Sequence, residues 1–67
     1  MIEVTVNGTK REVVDTTTIL GFLESRELLP RMVVVEHNGV IVPRDQYGEV
    51  ALQAGDVLEI VQMMAGG

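Results

Sequence analysis

The chain of 67 residues contains no cysteine and no tryptophan, and its single histidine is His37. Disulfide bridges within it therefore cannot form, and the usual zinc ligands cannot be assembled from its side chains. Its only aromatic residues are Phe22 and Tyr47, so we expect an aliphatic core built mainly of Val, Ile, Leu and Met. A domain this small, without disulfide or metal, depends on apolar burial for stability. A hydrophobic fraction of 46 % makes that feasible.

Basic residues and long apolar runs are also scarce. Five Lys and Arg stand against ten Asp and Glu, which gives a formal net charge of −5. Because phosphate backbones repel such a chain, nucleic acid is not an expected partner. No apolar run approaches the ~20 residues that span a bilayer, and the first residues lack the pattern of a signal peptide. We therefore expect one soluble, cytoplasmic domain that has no membrane partner.

Alternating hydrophobicity predicts that the chain opens with a β-hairpin. Ile2, Val4 and Val6 share one face of a half-buried strand. Asn7-Gly8 is a strong turn signal, because both residue types tolerate positive φ. Residues 10–14 then return as the second strand.

An amphipathic helix is predicted next. The Asp and Thr side chains of residues 15–18 can cap its first turn. Its apolar face, an arc of about 160°, contains Ile19, Leu20, Phe22 and Leu23. We expect about ten residues of helix at 100° per residue, ending near Glu27, because Pro30 prevents much continuation.

Three further strands are predicted after the helix. Residues 32–35 are a continuous apolar run, typical of a central strand that is covered on both faces. Asn38-Gly39 is a second tight turn, and residues 40–42 pair back before Pro43. Residues 44–48 form a polar connection with room for one helical turn, residues 54–56 form a turn, and residues 57–62 form the last strand.

This order of elements favours an α+β fold of the β-grasp type, in which a mixed sheet wraps one main helix. The first and last strands are the most regular, so we expect them together at the sheet centre. Propensity alone leaves other small α+β folds open. The predicted core between helix and sheet comprises Ile2, Val4, Val6, Phe22, Leu23, Val35, Leu58 and Ile60.

The last strand has one buried and one solvent face. Leu58 and Ile60 share the buried face, and Glu59 marks the other face as the solvent side. Val61 and Met63 then lie exposed beside the C-terminus, where an apolar patch often marks a partner surface. The alternative is that Met63 folds back over the sheet edge.

The final residues, Met63-Met64-Ala65-Gly66-Gly67, suggest chemistry at the terminus. Glycines lack Cβ, so such a tail can thread a narrow channel in another protein. The α-carboxylate is ionised and resists nucleophiles, but adenylation by ATP lets a sulfur nucleophile attack it and leave a thiocarboxylate. We therefore expect a domain over residues 1–63 and a flexible tail over residues 64–67. A frayed end without function is the alternative for Gly-Gly alone.

Several segments together resemble the ThiS sulfur carriers of thiamine biosynthesis. They are Asn-Gly-Val-Ile-Val-Pro-Arg at residues 38–44, Gly55-Asp56 and the terminal Ala65-Gly66-Gly67, with Thr18-Ile19 and the overall length in agreement. The resemblance covers the whole chain. Met63-Met64 and Ala54 depart from the family pattern, which puts the fit to partners in doubt but leaves the chemistry untouched.

The resemblance implies a ubiquitin-like β-grasp protein that is a carrier rather than an enzyme. Gly67 would be adenylated by a relative of ubiquitin-activating enzymes and would receive sulfur from a cysteine-desulfurase relay. The thiocarboxylate would then be delivered to thiazole synthase. The carrier would have no catalytic residues, metal or cofactor of its own, since ATP is bound by the activating partner.

The candidate partner-binding residues are Arg44, Glu59, Val61, Met63 and Met64. Arg44 could bind a partner carboxylate or a phosphate, although a lone surface arginine is more often only solvated. His37 has no acid and nucleophile set around it and is interpreted as structural.

Two other functions remain open. A small subunit of the molybdopterin-synthase type shares the fold and the chemistry, but it is usually longer and lacks Val-Pro-Arg at this place. A ubiquitin-like interaction module would use its surface and not its terminus, so it would tolerate the loss of Gly66 and Gly67. An enzyme is not expected, because the sequence offers no catalytic set and too little chain to enclose a cleft.

Overall fold

A computed structural model of the chain describes residues 1–63. Its strands are β1 (Ile2–Val6), β2 (Thr9–Val13), β3 (Val33–His37), β4 (Val40–Ile41) and β5 (Val57–Gln62), and its helix is α1 (Ile19–Ser25). Short 3₁₀ turns span Pro30–Met32 and Arg44–Gln46. The predicted order of elements is confirmed, including the helical turn in the connection before β5.

The five strands form one mixed sheet in the order β2-β1-β5-β3-β4. β1 and β5 are parallel neighbours near the centre, and the other neighbouring strands are antiparallel. The prediction that the first and last strands meet there is confirmed. α1 packs on one face of this sheet, which confirms the β-grasp arrangement. No helix among residues 1–63 is long and apolar enough to cross a bilayer.

The first turn also ties β1 to β5. Asn7 and Gly8 take φ values of 50° and 83°, the left-handed region that this residue pair tolerates. The Asn7 side chain donates from Nδ2 to the Ile60 carbonyl at 3.1 Å and accepts at Oδ1 from the Ile60 amide at 2.7 Å. The Asn7 side chain therefore makes the same pair of hydrogen bonds to β5 that the backbone of a neighbouring strand would make.

The helix begins as predicted but ends earlier. The Thr18 hydroxyl accepts from the Gly21 amide at 3.0 Å and caps the first turn. α1 stops at Ser25, because Glu27 adopts a φ of 58°. The Leu28 amide then donates to the Leu23 carbonyl at 2.9 Å, as in a Schellman motif. The prediction of a helix of about ten residues was wrong, because α1 has seven. The residue that ends it in the left-handed conformation is Glu27 and not a glycine, so the sequence does not signal where the helix stops.

The predicted core is largely confirmed. Val4, Val6, Phe22, Leu23, Val35 and Leu58 are buried, while Ile2 and Ile60 are partly buried against them. Five further residues are buried that the predicted core does not include, namely Ile19, Val33, Val42, Tyr47 and Leu52. Tyr47 belongs to the predicted polar connection, yet its ring is buried and its hydroxyl donates to the Val33 carbonyl at 3.2 Å.

The expectation that β3 is covered on both faces was wrong. Val33 and Val35 are fully buried on the helix side of the sheet, whereas Val34 on the opposite face remains half-buried. One helix can cover only one face, and Glu36, Glu59 and Val61 are exposed on the second. A continuous apolar run therefore does not by itself identify a strand with two covered faces.

Candidate functional site

The solvent face of β5 presents apolar side chains toward the C-terminus. Val57, Val61 and Met63 are 42 %, 62 % and 43 % exposed, whereas Leu58 is fully buried. Glu59 is exposed on the same face, between Val57 and Val61. The prediction that Glu59 marks the solvent side, with Val61 and Met63 exposed beyond it, is confirmed.

Neighbouring strands extend this apolar surface. Val34 lies directly opposite Val61, and the exposed Ile41 lies opposite Glu36. Residues directly opposite each other, and alternate residues along a strand, share one face of a sheet. These side chains therefore form a single surface, here called the outer apolar patch, which comprises Val34, Ile41, Val57, Val61 and Met63.

The same face is acidic. Glu36 lies directly opposite Glu59, and Glu3 lies directly opposite Glu12. Like charges at such positions destabilise a sheet. The ion pairs found within residues 1–63 join the N-terminal amine to Asp15 and His37 to Asp56, so none offsets these glutamates. This arrangement would be complemented by a partner surface that is basic and apolar.

Two hydrogen bonds bring Arg44 to the end of the sheet where β5 finishes. The Met63 amide donates to the Met32 carbonyl at 2.7 Å. Arg44 donates from Nε to the Pro30 carbonyl at 3.1 Å. Both acceptors belong to the 3₁₀ turn Pro30–Met32, which therefore connects Arg44 with Met63.

The remaining predicted site residues lie outside the described part of the chain. They are Met64, Ala65, Gly66 and the carboxylate-bearing Gly67. The structure thus gathers Val61 and Met63, with Glu59 beside them and Arg44 at the same end. It positions the surface from which the predicted tail continues.

A polar cluster around Asp56 was missed by the sequence analysis. The Asp56 carboxylate contacts His37 Nε2 at 2.7 Å and accepts from Asn38 Nδ2 at 3.1 Å and the Gln53 amide at 2.9 Å. Burial opposes its ionisation, but these hydrogen bonds outweigh burial, and the pKa of Asp56 lies below its ordinary value. Nineteen residues separate His37 from Asp56, so no local pattern could reveal their contact.

The cluster is structural in its geometry. It joins the turn after β3 to the turn before β5, and the Asn38 Oδ1 also accepts from the Val57 amide at 2.9 Å. No nucleophilic side chain takes part in the hydrogen bonds of this cluster within residues 1–63. Among those residues no group of three His, Asp or Glu side chains could hold a metal ion.

Comparison with known proteins places this geometry in a family. The model of the ThiS family matches residues 4–67, nearly the entire chain. The chain belongs to the ThiS family. The resemblance inferred from the terminal Ala-Gly-Gly and the segments before it is thereby confirmed.

Individual relatives agree with the family match. A ThiS sulfur carrier protein from Bacillus subtilis is 43 % identical over 53 residues, which are 79 % of this chain and 80 % of that one. A thiazole synthase from Paramagnetospirillum magneticum is 36 % identical over 66 residues, or 98 % of this chain. The chain spans 20 % of the length of that relative.

A solved ThiS structure has the same architecture. The crystal structure of a ThiS thiamine biosynthesis protein from Geobacter metallireducens superposes with a TM-score of 0.83 and 26 % sequence identity. The superposition covers 98 % of this chain and 100 % of that one. The two proteins therefore share the ubiquitin-like β-grasp fold.

Proposed function

We propose that this ThiS-family chain is a sulfur carrier of thiamine biosynthesis, and that its reactive group is the Gly67 carboxylate. The observation that carries the proposal is the family match, which extends to residue 67. The relative from Bacillus subtilis is itself described as a sulfur carrier protein. In this role the chain supplies a reacting group and its partners supply catalysis, so it is not an enzyme.

The Gly67 carboxylate is a poor electrophile, so it must be activated before a sulfur nucleophile can attack it. A carboxylate oxygen of Gly67 attacks the α-phosphorus of ATP, pyrophosphate leaves, and a mixed anhydride with AMP forms. A persulfide sulfur then attacks the carbonyl carbon and AMP leaves, giving an acyl disulfide. A second thiol cleaves the sulfur–sulfur bond, so that the terminal sulfur stays on Gly67 as a thiocarboxylate. The activating partner binds the ATP that the first step consumes.

Three partners follow from this scheme. An adenylyltransferase related to ubiquitin-activating enzymes forms the anhydride, a cysteine-desulfurase relay supplies the persulfide, and thiazole synthase accepts the sulfur. The thiazole synthase of Paramagnetospirillum magneticum supports the acceptor, because one stretch of it matches nearly the whole chain. We propose that the chain meets all three partners in the cytoplasm.

The outer apolar patch provides the docking surface for these partners in our proposal. Val61 and Met63 make the apolar contact, Glu59 adds charge, and Arg44 contributes from the end of the sheet where β5 finishes. Met64, the next residue of the chain, is proposed as a further contact. From Met64 to Gly67 an extended chain reaches roughly 10–14 Å, at ~3.3–3.6 Å per residue. That reach allows the carboxylate to enter a buried nucleotide site while the patch stays on the partner surface.

Growth complementation tests this function. In a bacterium that lacks its own ThiS carrier and therefore requires thiazole, the chain should restore growth without thiazole. A variant that lacks Gly66 and Gly67 should fail, and an unchanged denaturation midpoint would show that its fold is intact. Restoration by the shortened variant would instead indicate an interaction module. Failure of the full chain, with normal expression, would favour the molybdopterin-synthase type.

A further inference from the structure

A groove separates β2 from α1 on the helix side of the sheet, away from the outer apolar patch. Its volume is about 570 Å³. It continues past Arg11, Phe22 and Arg26 into a second depression of about 230 Å³, which reaches Ile60 and Gln62. The proposed sulfur chemistry uses no part of this groove.

Two arginines line the groove on the helix side of the sheet, Arg11 and Arg26. Lys10 and Glu12 also border it, but their side chains lie on the outer face, opposite Thr5 and Glu3. Neither arginine takes part in the ion pairs found within residues 1–63, although the chain contains ten acids. Arg11 on β2 and Arg26 beside α1 line both depressions, so both guanidinium groups would attract a carboxylate placed between them.

The backbone of β2 offers a second means of recognition. β2 is an edge strand that pairs only with β1, and its register aligns Val6 with Thr9 across the turn. A two-residue turn makes that pair a hydrogen-bonded one, and the ladder then alternates. Lys10 and Glu12 consequently direct their amides and carbonyls away from β1. Such an edge is a template for an added strand.

The groove also has apolar walls. Phe22 lines both depressions, and the half-buried Val13 lines the larger one. At one end Val14 and Met1 are 60 % and 75 % exposed. An added strand directs every second side chain into the groove. Its inward positions would therefore meet aliphatic surface on either side of the two arginines.

We propose that this groove binds an extended peptide segment of a partner protein as a sixth strand beside β2. The segment directs a carboxylate toward Arg11 and Arg26 and aliphatic side chains toward Phe22 and Val13. A second copy of the chain fits less well. Antiparallel pairing of two β2 strands about Arg11 would place the two Arg11 side chains opposite each other in the groove and supply no carboxylate there, although each Lys10 would face Glu12 of the other copy on the outer face. The net charge of −5 also opposes self-association.

A symmetric probe peptide makes the test independent of strand direction. Acetyl-Thr-Val-Thr-Glu-Thr-Val-Thr-amide presents Val, Glu and Val on one face. Titrated into the ¹⁵N-labelled full chain, it should give saturable shift changes along β2 and at Phe22. At saturation the Lys10 and Glu12 amides should exchange with deuterium more slowly. The same peptide with Lys in place of Glu should bind at least about tenfold more weakly, because a charge-assisted contact is lost.

Matched variants separate local recognition from net charge. Arg26→Glu should weaken binding of the acidic peptide by about tenfold or more, whereas Arg31→Glu makes the same charge change outside the groove and should not. Equal affinity for both peptides, equal effects of both variants, or binding without protection of the Lys10 and Glu12 amides would overturn the proposal.

Two other occupants give distinct results. A dimer of the free chain with these amides already protected would assign the groove to a second copy. Protection in the free monomer that disappears when residues 64–67 are removed would assign it to the tail of the same chain. Either result would contradict the partner segment. None of these readouts depends on sulfur transfer, so the groove and the proposed function can fail separately.

Discussion

Replacing Leu58 with alanine should remove a large share of the stability of this domain. Leu58 is fully buried at the centre of the sheet. Its neighbours in register are Val6 on the parallel strand β1 and His37 on the antiparallel strand β3. Its carbonyl accepts from the Asn7 amide at 2.9 Å, so the backbone around the truncated side chain remains held in place. The site therefore has little freedom to collapse into the space left behind.

The expected loss follows from burial and from the cavity. Removing the equivalent of three methylene groups costs ~2.4 kcal/mol at ~0.8 kcal/mol each. A cavity that does not relax raises the cost of Leu→Ala changes to ~2.7–5.0 kcal/mol. Domains of this length have a free energy of unfolding of roughly 3–10 kcal/mol. Leu58→Ala should thus remove between about a quarter and all of it.

Urea denaturation followed by far-ultraviolet circular dichroism measures this loss. With a slope of about 1 kcal/mol/M, a loss of ~3 kcal/mol lowers the midpoint by about 3 M. Val61→Ala, on the exposed face of the same strand, should change stability by less than ~0.5 kcal/mol. If Leu58→Ala is unfolded without urea, the milder Leu58→Val should retain a measurable transition. Equal midpoints for Leu58→Ala and Val61→Ala would refute the assignment of the strand faces.

Three further predictions concern charge and docking. Because the pKa of Asp56 is lowered from 3.8 by folding, its stabilisation is present above that value and is lost as pH falls. The stability deficit of Asp56→Asn should therefore shrink from about pH 5 to pH ~2, while Asp45→Asn should show no such deficit. Glu36→Gln should stabilise the sheet by ~0.2–1 kcal/mol at low salt, less at high salt, by removing the repulsion with Glu59. Val61→Asp should lower stability by about 1 kcal/mol, because it adds a like charge beside Glu59, leave the chain folded, and slow its adenylation.

Each of these predictions can fail in a specific way. If the free energy of unfolding of Asp56→Asn remains below that of the native chain at the lowest pH, the cluster does not stabilise the fold through an ionised Asp56. A salt-independent effect of Glu36→Gln would point to packing instead of charge. Adenylation of Val61→Asp at the native rate would remove the outer apolar patch from the docking surface.

The strands were predicted more accurately than the end of the helix and the tertiary contacts. Alternation of Ile2, Val4 and Val6 and two Asn-Gly turns are local signals, and they identified both hairpins. The bounds of β5 followed from the turn before it and from Gln62 at its end. Fold and family could both be inferred because such patterns and the terminal Ala-Gly-Gly are contiguous in the chain.

The features that were missed depend on tertiary contacts. Tyr47 is buried because its hydroxyl reaches the Val33 carbonyl, fourteen residues away in sequence. The helix stops at Ser25 because Glu27 takes a left-handed conformation without being a glycine. His37 meets Asp56 only once β3 and β5 are paired. The groove beside β2 likewise exists only after α1 has packed on the sheet.

The most direct test of the central claim is the intact mass of the chain after incubation with ATP, the adenylyltransferase, a persulfide donor and a thiol that cleaves the acyl disulfide. The account predicts the mass change for one oxygen replaced by sulfur, located by fragmentation at Gly67. Adding one residue after Gly67 should abolish this change and leave the denaturation midpoint unaltered, as should removal of Gly67. Sulfur incorporation that persists in the extended variant would contradict the account.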